Sequence, residues 1–216
     1  MRKLRQIKLL PYIATGVILI AIVWAMTYRS ILIEREQAFA NSTEQAERLA
    51  GFFEQNVLQI FRYSDTYLKL VRREYLKHGS IDTIRQIVTD LPLDTMIVSH
   101  ITVIDENGIP IFNSRYPFKP GVTATDRGYF KFQKENPGDQ IFISLLKKGR
   151  NTGKTTLRLV RRINRPDGSF GGVIFAAIDV ERIMAFFTGL DLGPNSSATL
   201  VGTDKTIRAR SSYGPM

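Results

Sequence analysis

The chain has 216 residues, 44% of them hydrophobic, enough for one well-cored domain with additional elements and too apolar for a disordered polymer. A formal charge of +10 invites a nucleic-acid reading, but four of the 30 basic residues (Arg2, Lys3, Arg5, Lys8) precede an apolar run, leaving 26 scattered basic residues against 20 acidic ones. With no cysteine and only two histidines, disulfides and thiolate metal sites are excluded and a histidine-rich metal site is not expected.

The first element is the run Leu9 to Tyr28, 20 residues without a charge. At about 1.5 Å rise per residue a helix of that length matches a hydrocarbon core of roughly 30 Å. The basic cluster at 1–8 places the N-terminus in the cytoplasm and everything after Arg29 outside, by the positive-inside rule. The expected location is therefore the inner membrane, with the bulk of the chain in the periplasm. A cleaved signal peptide is the alternative, with Val23-Trp24-Ala25 as a weak cleavage site. The length of the run, and the absence of Pro or Gly between it and Gly51, favour a helix that continues out of the bilayer.

Beyond the membrane, Leu49, Phe53, Val57, Ile60, Tyr67 and Val71 recur at gaps of three, four or seven, which puts them on one helical face. This predicts a long amphipathic helix from about Ile31 to Lys77. Its distal half is suited to cover a globular domain, and its polar proximal half, Glu34 to Arg48, to serve as a stalk or homodimer contact. Gly79 suits the position just past a helix end. Ser80 can cap a short helix from Ile81 to Asp90, which Pro92 ends.

The pattern then changes to strands. Met96 to Asp105 is rich in β-branched residues, and the turn Glu106-Asn107-Gly108 leads to a second strand, Ile109 to Asn113. A short helix is expected from Asp126 to Lys134 and strands over Gln140 to Leu145, Thr155 to Ile163 and Phe170 to Val180, the last two joined at Arg165-Pro166-Asp167-Gly168. After a helix from Glu181 to Leu190, Gly193-Pro194 opens a strand pair, Ala198 to Gly202 and Thr206 to Arg210. Two such strands cannot form a stable sheet alone, so the chain reads as a piece of a longer protein. The class is α+β, a central antiparallel sheet with helices at its sides.

Several strings in this order resemble the double Cache sensors, PAS-like extracytoplasmic domains of bacterial diguanylate cyclases, histidine kinases and chemoreceptors. They are Val103-Ile104-Asp105-Glu106-Asn107-Gly108, Asp126-Arg127-Gly128-Tyr129-Phe130, Leu159-Val160-Arg161-Arg162, and Asp167-Gly168-Ser169-Phe170-Gly171-Gly172-Val173 running into Ile178-Asp179. Together they look most like the input domains of membrane diguanylate cyclases. After the basic segment at 1–8, the transmembrane helix at 9–28 and the stalk and short helix over 29–95, the resemblance implies a membrane-distal PAS-like module at 96–180 and the beginning of a membrane-proximal module at 181–216. It also implies a small-molecule ligand; a homodimer is expected from the scattered apolar positions of the stalk, no cofactor is expected, and two histidines with no nucleophile elbow give no sign of a catalytic site.

In amino-acid-sensing members of that family, an Arg-x-aromatic-aromatic string holds the ligand carboxylate and an Asp ending the last strand faces its amine. The matching residues are Arg127, Tyr129, Phe130 and Asp179. A guanidinium suits a carboxylate because its planar fork forms two charge-assisted bonds. The amino-acid version has a Tyr five residues before the Arg, where this chain has Val122, so the resemblance implies a small anion rather than an amino acid in particular. The bland alternative pairs Arg127 with Asp126 and buries Tyr129 in the core.

Strand alternation over Thr155 to Ile163 sets Leu157, Leu159 and Arg161 on one face and Arg158, Val160 and Arg162 on the other. At least one arginine therefore shares a face with apolar residues and needs a partner; Arg161 is the candidate ligand residue, with a bound anion or Asp179 opposite, and a solvated arginine at the sheet edge is the alternative. The segment Gly149-Arg150-Asn151-Thr152-Gly153-Lys154-Thr155 has three residues between its glycines, not the four of a P-loop, and reads as a turn. An anchored structural or interaction domain with a filled pocket is the competing functional reading.

Overall fold

The structure, a computed structural model, describes residues 10–91, 97–188 and 197–212. The N-terminal basic cluster, Pro92 as a helix terminator and the Gly193-Pro194 turn lie outside the described residues. The chain divides into two compact units, Met1–Asn56 and Val57–Met216.

Helix α1, Leu10–His78, runs through both units. In the first unit it contains a stretch apolar and long enough to cross a membrane, none of it buried. Ile13, Val17, Leu19, Val23 and Trp24 are all exposed there, an arrangement that water disfavours and lipid accommodates. Its hydroxyls are satisfied locally: Thr15 donates to the Pro11 carbonyl at 3.0 Å and Thr27 to that of Val23 at 2.9 Å, as a dry environment requires.

In the second unit the end of α1 buries Val57, Ser64, Leu68 and Val71, a spacing of three, four and seven that lines one face. Gly79 ends the helix at φ +63°, and its N–H donates to the Tyr75 carbonyl at 2.7 Å. Helix α2, Ile81–Asp90, starts at Ser80, whose hydroxyl accepts from the Asp82 N–H at 3.1 Å.

The remaining elements are β1 (Val98–Ile104), β2 (Pro110–Asn113), α3 (Gly128–Glu135), β3 (Phe142–Ile143), β4 (Lys147–Lys148), β5 (Thr155–Asn164), β6 (Phe170–Ile178), α4 (Val180–Thr188), β7 (Ser197–Val201) and β8 (Ile207–Ser212). The main sheet is antiparallel throughout, in the order β2-β1-β6-β5-β3, with β4 also paired to β5. Strands β7 and β8 form a separate antiparallel pair. Strand β3 is shorter than the sequence predicts, and β4 is a strand the sequence does not announce. Its two exposed lysines carry no apolar alternation.

Hairpin β1–β2 turns at Gly108, φ +82°, while the Asp105 carboxylate accepts from the Asn107 and Ile109 N–H groups at 3.0 and 2.7 Å. Gly172 is required more strictly. Its φ is +112°, and a Cβ there would lie 2.0 Å from the Ile104 carbonyl oxygen, so only glycine lets β6 approach β1 this closely.

Register divides the sheet into two faces. One carries the rows His100–Ala177–Arg158, Thr102–Phe175–Val160 and Ile104–Val173–Arg162; the other carries Ile101–Ala176–Leu159 and Val103–Ile174–Arg161. On the first face, Ile104, Val160, Val173, Phe175 and Ala177 pack with Tyr129 and Phe130 of α3. Arg162 ties the end of α3 to this face by donating to the Gln133 and Lys134 carbonyls at 2.5 and 3.0 Å. There a cation also meets the negative end of the helix.

Candidate functional site

A cavity of about 50 Å³ opens on the first face, beside the Tyr129 end of α3. Its floor is sheet: His100, Thr102 and Ile104 of β1, Asn113 of β2, Arg158 of β5 and Phe175 of β6. Its walls are the loop carrying Phe118, Val122, Thr123, Ala124 and Arg127, together with the turn Gly149-Arg150-Asn151-Thr152.

The turn is fastened to the loop by Asn151, whose side-chain oxygen accepts from the Lys119 N–H and whose amide donates to the Pro117 carbonyl, both at 2.8 Å. Arg150 donates through both terminal nitrogens to Asp126, at 2.6 and 2.5 Å, and to the Thr123 carbonyl at 3.0 Å. This bidentate pair holds the Asp126 carboxyl down to about 2. Asp126 therefore hydrogen-bonds to Arg150, and Arg127 acts on it only through its charge.

Arg127 is the residue just before α3, in extended conformation, rather than part of its first turn. Its guanidinium reaches one carbonyl, that of Lys148, at 3.4 Å. Arg158 is more deeply placed, only 5% exposed, and its guanidinium likewise reaches a single carbonyl, that of Lys147, at 3.4 Å. Both contacts lie near the outer limit of a hydrogen bond. Among the described residues no carboxylate pairs with Arg158. The rings of Tyr129 and Phe175 stand 5.9 and 5.8 Å from it, a cation–π arrangement that supplies part of what water would have given.

Electrostatically the cavity is one-sided. Burial lowers the Arg158 pKa, and Arg127 lowers it further by repulsion. His100, edge-on to Tyr116 and Phe175 at 5.3 and 6.1 Å, is pushed down to about 4 by burial and then by Arg158, Lys154 and Arg115. The imidazole is neutral at neutral pH. Two guanidiniums that hydrogen-bond to no carboxylate among the described residues thus face a small hollow, and a buried cation in that position stabilises an arriving anion.

Of the five side chains named from the sequence, Arg127 and Tyr129 line the cavity, and Phe130, Arg161 and Asp179 do not. Phe130 is a core residue, 2% exposed and edge-on to Phe170 at 5.3 Å. Arg161 points to the opposite face, where it donates to both Asp65 oxygens at 2.5 and 2.9 Å and to Asp139 at 2.8 Å. Asp179 follows β6 and lies 3.5 Å from Arg182, three residues on in the first turn of α4. A helix start draws a preceding carboxylate toward itself, which accounts for that placement.

Sequence reasoning missed Arg158, His100, Thr102, Arg150 and Asn151. Arg158 had a legible signal, since it alternates with Val160 on the face opposite Arg161. What the alternation lacks is which face carries the acidic partners.

No family model matches the chain, and no curated protein matches it. Solved structures do. The extracellular domain of the histidine kinase rpHK1S-Z16 aligns with 76% of this chain and 68% of its own, at 23% identity and a TM-score of 0.65. The fold is that of a Cache-type sensor domain. The ligand-binding domain of the Pseudomonas fluorescens chemoreceptor CtaA, in complex with L-serine, covers 76% of this chain and 70% of its own, at 12% identity and a TM-score of 0.62. The ligand-binding domain of the Pseudomonas aeruginosa amino-acid chemoreceptor PctC, in complex with GABA, covers 76% and 73%, at 14% identity and a TM-score of 0.58. At these identities the Cache fold is shared, and the ligands belong to those proteins.

Proposed function

We propose that the chain is the extracytoplasmic ligand-sensing input region of a membrane-bound bacterial signal-transduction protein, and that its signal is a small anion bound in the Arg158 cavity. The observation that carries this reading is Arg158 itself, a guanidinium 5% exposed at a cavity and without a carboxylate partner among the described residues. The other arginines at that depth have their donors taken, Arg161 by the carboxylates of Asp65 and Asp139 and Arg162 by the Gln133 and Lys134 carbonyls and the Asn164 side chain, whereas Arg158 has one carbonyl at 3.4 Å. The Cache fold, found in sensor domains of histidine kinases and chemoreceptors, supports the same assignment. The sequence resemblance points to a diguanylate cyclase as the output; a histidine kinase or chemoreceptor output suits the same input fold.

In this reading the apolar stretch of α1 spans the inner membrane and the sensor faces the periplasm. The exposed Ile31, Leu32, Ile33 and Phe39 of the first unit then supply a homodimer contact. The test is a thermal-shift screen of the detergent-solubilised full chain against organic and inorganic anions. At least one anion is expected to raise the melting temperature, and the rise is lost in Arg158→Met. A screen in which no anion stabilises the chain contradicts the reading.

A further inference from the structure

The polar atoms of the cavity differ in what they can still accept. None of its lining side chains is acidic, and its charged members are Arg127, Arg150 and Arg158. Several of the neutral oxygens that might receive an ammonium group already accept a hydrogen bond. The Asn113 side-chain oxygen accepts from the Arg115 and Tyr116 N–H groups at 3.0 and 2.7 Å. The Asn151 side-chain oxygen accepts from Lys119, the Thr123 carbonyl from Arg150, and the Thr102 hydroxyl from the Asn113 amide at 2.8 Å. Asp126, beside the lining residue Arg127 in the chain, is held through both oxygens by Arg150, and Asp179 lies beside Arg182 outside the lining.

From these placements, and resting on the sensor reading above, we propose that the cavity selects a short carboxylic acid bearing no ammonium group, its carboxylate seated between Arg158 and Arg127. An α-amino or ω-amino acid brings a cation among guanidiniums with no carboxylate in the lining to pair it, and a buried charge without a counter-charge is disfavoured. The carboxylate end faces two forks that each have only one weak carbonyl contact. The cavity, of about 50 Å³, suits a small acid. The rings of Tyr129 and Phe175 and the side chain of Ile104 offer its carbon chain an apolar wall. The amino-acid complexes of the structural neighbours therefore do not carry over.

The experiment uses matched pairs that differ only by the amine: propionate against L-alanine, and butyrate against GABA, each titrated calorimetrically into the detergent-solubilised full chain. Propionate and butyrate are expected to bind at least ten-fold more tightly than their amino partners, with binding lost in Arg158→Met and partly restored in Arg158→Lys. Equal or tighter binding of L-alanine or GABA overturns the selectivity while leaving an Arg158-dependent sensor intact. Binding of none of the four acids overturns the selectivity, and failure of the wider anion screen as well removes the sensor reading beneath it. Should Arg158→Met fail to fold, the matched pairs on the unaltered chain still decide the selectivity.

Discussion

Arg158 and Arg161 lie three residues apart on one strand, both 5% exposed, and their surroundings are opposite. Arg161 faces α1, where Asp65 and Asp139 share its guanidinium, Lys69 joins Asp65 at 3.1 Å and Arg72 joins Asp139 at 2.6 Å. Two carboxylates and three cations form a closed network there. Arg158 faces α3 and the 149–152 turn, where aromatic rings and other cations surround it. A buried arginine whose donors are taken, by acids as in Arg161 or by carbonyls as in Arg162, is part of the fold, and one left with a single weak carbonyl contact has donors to offer an anion. The difference teaches that burial alone does not assign a charged residue a role; how far its donors are already satisfied does.

The largest effect is expected from breaking the satisfied face. Arg161→Met leaves Asp65 and Asp139 partly buried with one cation each, and should cost about 3 kcal/mol in denaturant unfolding. Acidification comes next and acts on the other face. The His100 pKa of about 4 lies below the roughly 6.5 of an unfolded imidazole, so the unfolded chain takes up the proton first. The stability His100 contributes is fully present above pH 6.5 and is lost as pH falls from there toward 4. By pH 5 the loss amounts to about 2 kcal/mol, measurable as a falling melting temperature that flattens in His100→Phe. Asp65 and Asp139, held below the usual carboxylate value, add their losses only in more acidic solution.

Smaller still, Arg72→Met removes one cation from Asp139, whose side chain is half exposed, and should cost about 1 kcal/mol. Arg158→Met should change stability least, within about 0.5 kcal/mol in either direction, because an uncompensated buried charge gives way to an apolar chain of similar length. A loss above about 2 kcal/mol on unfolding this variant would place Arg158 with Arg161 as a structural residue and erase the contrast.

Much of the fold was legible in local signals. Ser80 before Ile81, Gly79 after His78 and the Asn107-Gly108 turn each act through their own backbone, and the structure places element ends at these residues. The α+β class followed from the change in periodicity after Pro92, and alternation along β5 correctly separated Arg158 from Arg161. The site was legible only in part. Arg127 and Tyr129 were found through the resemblance, whereas Arg158 and His100 meet through the register of β1, β6 and β5, which sequence spacing does not encode. Arg161 was given the ligand because its true partner, Asp65, lies 96 residues earlier on α1, a contact no local pattern announces. The 149–152 segment, read as a turn, is one, but its part in walling the cavity depends on the Asn151 and Arg150 bonds to a distant loop.

The central claim, that Arg158 serves a ligand and Arg161 serves the fold, is tested most directly by melting three proteins with and without saturating propionate. The wild-type chain should gain several degrees. Arg158→Met should melt near the ligand-free wild type and gain nothing. Arg161→Met should melt well below both and still gain. A propionate response that survives in Arg158→Met and disappears in Arg161→Met would contradict the account.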